Sequence, residues 1–386
     1  MIQDFLTPVS EDIQRAISSD TRNILGHGVT FMNKKLPDFS NVKIAIIGIE
    51  EERNAINNEG CSLGSHAIRK SFYNLFPGNW KFEIVDLGNV IAGESIDDTY
   101  FAMQEVLSFL QKKQIIPVIL GGSQDLTYSQ YRAFEPLEQL VNLIAVDKSL
   151  DIGDPEHPLD SQSYLNKIIL QKPNILFNYS SIGYQSYYVD PHELDLMDQM
   201  NFDAYRLGEI KANVEWIEPM VRDADLLSFD ICSIQKGFAP GCGNSGPNGL
   251  TGEESCALMR YAGLSDKMAS VGIYEFNPLL DKEGVTAELI GQMLWYFLEG
   301  VSLRTFDYPI GVKDQYQKFI VPIELDDDLV FYKSHKSGRW WVEVPYHHAD
   351  PKKSRHSMVP CSYQDYLDAA AQNVPERWWK ASRKLV

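Results

Sequence analysis

The sequence lacks the features that would direct a protein to a membrane or to nucleic acid. No stretch of its 386 residues reaches the roughly 18 uninterrupted apolar residues that a transmembrane helix requires. Positive charge is scarce, and the net charge of -18 disfavours binding to phosphate-rich partners. The first residues, MIQDFLTPVSEDIQ, are acidic where a secretory signal is basic. We therefore expect a cytoplasmic protein with no membrane span and no nucleic-acid partner.

Cysteine is also rare and irregularly spaced. The five cysteines do not have the spacing of a zinc knuckle or of a disulfide framework; they are Cys61, Cys232, Cys242, Cys256 and Cys361. We therefore predict reduced thiols. No His or Lys stands at a spacing that would activate Cys232, so a buried and unreactive thiol is the favoured interpretation.

Short apolar runs rich in β-branched residues are abundant. Seven of them have the length and composition of strands buried on both faces: 42–49, 82–88, 115–122, 143–147, 175–183, 226–231 and 268–276. Residues 97–113, 251–264 and 286–301 have the apolar periodicity of helices. Thr251 and Glu254 predict a capping box at the start of the second helix. This alternation predicts a three-layer α/β/α domain with a doubly wound, mostly parallel sheet.

The end of the chain differs in composition from the rest. We predict three parts: an N-terminal segment (1–39), the α/β/α domain (40–304) and a C-terminal extension (305–386). Residues 331–386 hold ten Lys and Arg against five Asp and Glu, so they carry +5 of a total of -18, and the remainder carries -23. Four of the seven Trp lie there: Trp340, Trp341, Trp378 and Trp379. We expect this Trp-rich extension to pack on the body, and docking of a protein partner is the alternative.

Polar clusters follow several of the predicted strands, where open α/β sheets bind their ligands. In chain order they are GGSQDLT (121–127), DKSLD (147–151), SFDIC (228–232) with APGCGNSGPNGLTGEE (239–254), and YEFNP (274–278). Upstream, Gly60 and Gly64 precede AIRK (67–70) and VDLGNV (85–90). In this order and at these spacings, the motifs resemble those of the arginase, agmatinase and formimidoylglutamase family over about residues 40–304.

The resemblance implies the arginase fold and a pair of divalent ions, usually manganese, that hold a hydroxide for attack on a guanidine-type carbon. The family binds these ions with two His and four Asp. The positions that keep the Asp are Asp147, Asp151 and Asp230. The positions that are substituted are Gln124 and Ser149, where the family has His, and Cys232, where it has Asp.

These substitutions affect the two ion sites unequally. One site would keep Asp147, Asp151 and Asp230 with the amide oxygen of Gln124, a set of oxygen ligands that suits Mn²⁺, Mg²⁺ or Ca²⁺. The other site would keep only shared carboxylates. We therefore expect either no metal or a single hard divalent cation, and not the two-manganese centre. Without a metal the three carboxylates would repel one another, so one of them should hold a proton.

Glu275 matches the family glutamate that receives the cationic end of the substrate, which implies a small cationic or amino-acid-like ligand. His157 lies near the family's loop histidine but out of register, so no catalytic acid or base is assigned. In the extension, His347, His348 and His356 are interpreted as part of a solvated turn, because neighbouring side chains of an extended segment point to opposite sides.

The sequence therefore predicts a formimidoylglutamase-like protein of the arginase fold that has lost hydrolysis and acts by binding a ligand or a protein. One alternative is an active metal-dependent C–N hydrolase acting on formimidoylglutamate, agmatine or arginine. A second alternative is an assembly component that docks through its C-terminal extension. The resemblance also implies a homo-oligomer.

Overall fold

The computed structural model describes residues 2–154, 156–308, 316–323, 328–344 and 358–385. The strands are β1 Leu6–Thr7, β2 Val29–Phe31, β3 Val42–Glu50, β4 Glu83–Ile91, β5 Ile116–Leu120, β6 Val141–Val146, β7 Leu176–Tyr184, β8 Asp203–Arg206, β9 Leu226–Asp230, β10 Ser270–Tyr274, β11 Tyr316–Val321, β12 Leu329–Ser334, β13 Trp340–Glu343 and β14 Met358–Cys361. The α-helices are α1 Glu11–Ser19, α2 Gly64–Tyr73, α3 Ile96–Lys112, α4 Thr127–Arg132, α5 Tyr164–Leu170, α6 Pro191–Gln199, α7 Leu207–Ala212, α8 Ile217–Asp223, α9 Gly252–Leu264, α10 Val285–Ser302, α11 Tyr363–Ala370 and α12 Glu376–Leu385.

The larger of the two sheets in the described residues is mostly parallel. Its strand order is β1-β4-β3-β5-β10-β9-β6-β7-β8, with β2 paired to β4. The strands from β4 to β8 in this order are all parallel, and β1 is antiparallel to β4. The seven predicted strands correspond to β3 to β7, β9 and β10, and the doubly wound α/β prediction is confirmed. The short edge strands β1, β2 and β8 were not predicted, because two to four residues carry no readable period.

Helices cover both faces of this sheet because its strands are apolar on both. In β3, Ile44 and Ile46 belong to a core that includes α2, α8, α9 and α10. The alternate residues Ala45 and Ile47 pack in a second core with α3. Each fully buried Ile contributes roughly 1.5–3 kcal/mol relative to an exposed one. Among the described residues, no helix has both the length and the hydrophobicity that crossing a membrane requires.

The predicted capping box is present at the start of α9. The Thr251 side chain accepts a hydrogen bond from the Glu254 backbone N–H at 3.2 Å, and the Glu254 carboxylate accepts one from the Thr251 N–H at 2.7 Å. Such reciprocal bonds satisfy amide groups that have no partner within the helix. They fix the end of the long loop that runs from β9 to α9.

The C-terminal extension forms a four-stranded antiparallel sheet in the order β11-β12-β13-β14, followed by α11 and α12. This sheet was not predicted from the sequence. Arg222 of α8 is buried and lies 4.6 Å from the ring of Trp341. It donates to the carbonyl oxygens of Trp340 and Cys361, at 3.1 and 3.0 Å. The body and the extension thus share a buried cation.

The remaining tryptophans of the extension have different environments. Trp378 is buried, and its indole N–H donates to the Glu343 carbonyl at 3.0 Å. Trp379 is 39% exposed.

The histidines of the proposed solvated turn, His347, His348 and His356, lie outside the described residues. The part boundaries near residues 40 and 304 remain a prediction.

Candidate functional site

Four neighbouring strands of the large sheet end at one place. β5, β10, β9 and β6 are adjacent, and their carboxyl ends lead to Gln124, Glu275, Asp230 and Asp147 respectively. Because the strands are parallel, these ends share one edge of the sheet. These four side chains are at most 6% exposed. The fold therefore gathers buried polar groups from four separate stretches of sequence.

The loop after β6 places two carboxylates around one hydroxyl. The Ser149 hydroxyl donates to Asp151 at 2.8 Å and is 3.4 Å from Asp147. Its backbone N–H donates to the same Asp147 oxygen at 3.2 Å. Asp151 has a φ of 51°, a left-handed conformation that is uncommon for a residue with a side chain. Because of these contacts, the hydroxyl of Ser149 is directed at the carboxylates of Asp147 and Asp151.

The loop after β9 contradicts the prediction of reduced thiols. Cys232 and Cys242 form a disulfide, with their Cα atoms 5.8 Å apart. The other three cysteines are buried and unbonded. Spacing along the sequence did not reveal this pair, because the APGCG segment folds back onto the end of its own strand. Two cysteines ten residues apart in adjoining motifs were the available signal.

Glu275 is buried and engaged by two partners. Its Oε1 accepts from the Gln124 backbone N–H at 2.8 Å, and its Oε2 accepts from the Asn58 side chain at 2.7 Å. The Gln124 side chain also donates to the Tyr164 hydroxyl at 3.3 Å. Asn58 and Tyr164 were missed in the sequence, because neither belongs to a recognised motif. His157 lies at the surface, with 73% of its side chain exposed.

Two loops close over this edge of the sheet. The Lys148 ammonium donates to the Asn244 carbonyl. The Asn244 side chain donates to the Ile56 carbonyl at 2.8 Å. The Gly243 N–H donates to the Asn58 side chain at 2.8 Å. The loop before α2 and the loop before α9 are thereby joined above the buried carboxylates. The two loops cover the carboxylates, which explains why the carboxylates have low exposure.

The buried carboxyl groups have raised pKa values. Burial raises the pKa of Glu275 to about 7, although hydrogen bonds from Asn58 and Gln124 oppose the shift. Burial, followed by repulsion from Asp147, also raises the pKa of Asp151 and of Asp230 well above the usual range. These directions agree with the expectation that, without a bound cation, part of the cluster is protonated near neutrality.

A sequence model of the Arginase family matches residues 42–299. The chain belongs to the arginase family. The formimidoylglutamase of Macrococcus caseolyticus is 26% identical over 263 residues, covering 66% of this chain and 83% of the relative. The solved structure of formimidoylglutamase from Bacillus subtilis superposes with a TM-score of 0.66 at 20% identity, covering 74% of this chain and 95% of that one. The structure of Trypanosoma cruzi formiminoglutamase with Mn²⁺ has a TM-score of 0.62 at 16% identity, covering 75% and 98%.

These comparisons confirm the arginase fold and the formimidoylglutamase-like character predicted from the motifs. The matched region ends at residue 299, before β11 of the extension. Two other motif residues of this arginase-family protein, Arg69 and Asp86, form a buried ion pair with distances of 2.7 and 2.9 Å. Tyr73 also donates to Asp86. This part of the motif set stabilises the fold beside the site.

In the part of this arginase-family protein that the structure describes, two groups of atoms could hold a metal ion. Asp147 Oδ2 and Gln124 Oε1 are buried acceptors without a hydrogen-bond partner in the described structure, and hard cations prefer such oxygens. Separately, Asp230, Cys232 and Cys242 place one ligand atom each within 4.8 Å of the others. Because its two sulfurs are bonded to each other, this second group supplies one carboxylate and no thiolate, whereas a manganese pair needs several carboxylates.

Proposed function

We propose that this arginase-family protein does not hydrolyse amidines through two manganese ions, and that it acts by binding a single hard divalent cation. Family members are ureohydrolases, so the proposal concerns what this chain has lost. One observation carries it. Cys232, which stands where the resemblance places a metal-binding Asp, has its sulfur bonded to Cys242.

The two-ion reaction requires carboxylates that bridge both cations and hold a hydroxide between them. Neither oxidation state of Cys232 supplies such a carboxylate. Ser149, at the position of a family His, directs its hydroxyl at Asp151. Loss of even a supporting group usually weakens a metal site by roughly 10- to 100-fold, so two altered ligands on one ion argue against its binding.

A single cation is supported by the acceptors that have no partner. Gln124 Oε1 and Asp147 Oδ2 accept no hydrogen bond from a described donor, which costs roughly 1–3 kcal/mol for each acceptor unless, at Asp147, the proton held by Asp151 is shared with it. Burial, and then repulsion from Asp147, raises the pKa of Asp151 and of Asp230, so in the absence of a cation these buried carboxyl groups hold protons. A hard cation would satisfy both requirements at once.

Binding of an amino-acid-like substrate at Glu275 is less well supported. Both of its oxygens already accept hydrogen bonds, and the group is 2% exposed. A cationic ligand would have to open the two loops and share Glu275 with Asn58. We therefore assign the binding function to the cation, and the amino-acid-like ligand remains a prediction.

Calorimetry and activity assays together test the proposal. Purified protein is titrated with Ca²⁺, Mg²⁺ and Mn²⁺, and is assayed with Mn²⁺ on formimidoylglutamate, agmatine and arginine. We expect one bound cation and no turnover. A flat titration with all three ions contradicts cation binding, and turnover above ~1 per second, the low end of typical enzymes, contradicts the loss of hydrolysis.

A restored variant provides the positive control for these assays. Gln124→His, Ser149→His and Cys232→Asp together return the ligand types that the resemblance implies. We expect this triple variant to bind two Mn²⁺ per chain while the parent protein binds one. Two tightly held Mn²⁺ in the parent protein would show that the substituted positions do not prevent the metal pair.

The second candidate function is hydrolysis with one ion. It is favoured by the retained carboxylates Asp147, Asp151 and Asp230, since a single cation can also lower the pKa of bound water. The same assays separate it from the first proposal. Homo-oligomer formation and docking of a partner through the extension remain predictions.

A further inference from the structure

A cluster of one aspartate and two cysteines lies at the same edge of the sheet. Asp230, Cys232 and Cys242 are buried, with one ligand atom of each within 4.8 Å of the others. In the oxidised state the two sulfurs are bonded to each other and offer no thiolate. We propose that, once this disulfide is reduced, the three residues form a binding site for Zn²⁺.

The donor set decides which metal this site would take. Two thiolates and a carboxylate suit Zn²⁺, whereas oxygen-only sets suit Mg²⁺, Ca²⁺ or Mn²⁺. The oxygen group at Asp147 and Gln124 is therefore chemically distinct from the sulfur group. Asp230 and Cys232 stand at positions of the ligand set that the family resemblance implies, whereas Cys242 has no counterpart in that set, so the zinc site overlaps the manganese pair only in part.

The spacing of the two cysteines is compatible with zinc. With Zn–S bonds of about 2.3 Å in tetrahedral geometry, the two sulfurs should lie roughly 3.8 Å apart. In a disulfide they lie about 2.05 Å apart, so reduction must separate them by less than ~2 Å. The Cα atoms of Cys232 and Cys242 are 5.8 Å apart, and this allows the separation through side-chain rotation.

The backbone around these ligands is held by hydrogen bonds on each side. Next to Cys242, the Gly241 N–H donates to Thr286 and the Gly243 N–H donates to Asn58, both at 2.8 Å. A Cβ atom at Gly243 would lie 2.1 Å from a backbone oxygen, so the loop passes too close to its neighbour for a side chain there. A ligand on such a loop is already positioned before the metal arrives.

The carboxylate ligand is positioned by the same turn. The Cys232 N–H donates to Asp230 Oδ1 at 2.6 Å, which is the kind of supporting contact that orients a metal ligand. On binding Zn²⁺, the two thiols release their protons to solvent, so that affinity rises with pH. Three protein ligands leave the fourth tetrahedral position for water or for an external ligand.

Cobalt is the probe for the test, because Co²⁺ substitutes for Zn²⁺ and its bonds to thiolate absorb light. The full-length protein is reduced with a trialkylphosphine: disulfide, phosphine and water give two thiols and the phosphine oxide. Titration of the unfolded sample should then count all five thiols. We expect the folded, reduced protein to bind one Co²⁺ with a thiolate-to-metal absorption band, and Zn²⁺ to displace it.

Matched variants assign the band to these ligands. Cys242→Ser should lose the band and should weaken Zn²⁺ binding by about 100-fold or more, at or beyond the upper end of the range for supporting groups. Cys256→Ser, which alters a buried unbonded thiol of α9, should bind as the parent does. The parent protein in its oxidised form should not show the band, and it serves as the folded comparison if Cys242→Ser does not fold.

Three results would overturn the proposal: a fully reduced protein without the band, an unchanged band in Cys242→Ser, or a disulfide that the phosphine cannot open. Failure of the hard-cation proposal gives a different pattern. In that case Ca²⁺ and Mn²⁺ titrations are flat while the thiolate band and its loss in Cys242→Ser remain.

Discussion

Two buried polar clusters lie on the same large sheet, and they differ in whether their charges are satisfied. At the first, Asp86 accepts hydrogen bonds from Arg69, Tyr73 and the Gly88 N–H. At the second, the carboxylates after β6 and β9 face one another, and Asp147 Oδ2 has no partner within the described residues. Lys148 opposes the rise in the pKa of Asp230, but by less than burial and repulsion from Asp147 and Glu275 raise it.

The difference separates a structural cluster from a binding cluster. A buried carboxylate with an internal guanidinium is complete without a ligand. A group of buried carboxylates without such a partner must hold protons or a cation. Removing a charged side chain should therefore destabilise the protein at the first cluster. At the second cluster, removing a carboxylate should stabilise the metal-free protein.

The largest effect is expected for Arg69→Met. It leaves Asp86 buried and uncompensated, which should lower the free energy of unfolding by roughly 3–5 kcal/mol. Denaturant unfolding followed by circular dichroism measures it. Arg260→Met provides the control, because its pair with Glu299 is more than 30% exposed on both sides and should contribute at most about 1 kcal/mol. Equal losses in the two variants would contradict the comparison.

The pH dependence of stability should be the next largest effect. Glu275 has a folded-state pKa of about 7 against an ordinary value of 4.5, so between these values the folded state holds a proton that the unfolded state has released. Stability of the metal-free protein should therefore fall as pH rises from about 4.5 to 7, with a contribution from Glu275 alone of up to about 3 kcal/mol. Unfolding curves across this range measure the slope.

The same unfolding curves, measured on a Glu275 variant and with added Ca²⁺, test the origin of that slope. Glu275→Gln should reduce it, because the amide does not titrate, and the slope that remains belongs to Asp151 and Asp230, whose pKa values are also raised. Saturating Ca²⁺ should flatten it if the cation binds in the same cluster, since binding to the folded state then replaces the proton. An unchanged slope in Glu275→Gln would assign the pH dependence to other groups.

Asp147→Asn should have a smaller effect on stability and a clear effect on binding. It removes one of the repelling carboxylates, so the metal-free protein should gain about 1 kcal/mol. Affinity for Ca²⁺ or Mn²⁺ should fall by at least roughly 10- to 100-fold. The matched change Asp86→Asn should instead destabilise the protein, because Arg69 loses its counter-charge. Destabilisation by both changes would mean that the two clusters are alike.

The smallest effect is expected for Ser149→Ala. The lost hydrogen bond to Asp151 should cost about 1 kcal/mol. Cation affinity should fall by at most roughly 10-fold, the low end of the effect of a supporting group, since the oxygen acceptors at Asp147 and Gln124 remain. Thermal unfolding and calorimetry measure both quantities. A large loss of affinity would identify the Ser149 hydroxyl as a cation ligand.

Much of the fold was predictable because buried parallel strands have a simple composition. Lys43 is the one charged residue in the run over 42–49, and Ser228 and Asp230 are the polar residues in the run over 226–231; the structure places β3 and β9 there. The sheet of the extension was missed, because Trp340 and Trp341 of β13 are both buried and the strand shows no alternation. The predicted metal positions remain predictions, although Gln124, Asp147 and Asp230 do meet at one edge.

The sequence by itself determined the α/β/α class, the family and the stretches that supply the buried carboxylates, because strand composition and ordered motifs are local properties. Only the tertiary structure decided that Cys232 meets Cys242, that Asn58 holds Glu275 and that Arg222 joins the body to the extension. Each of these contacts depends on how loops fold back on the sheet. Their distances are set by the packing of separate elements and cannot be obtained from spacing along the chain.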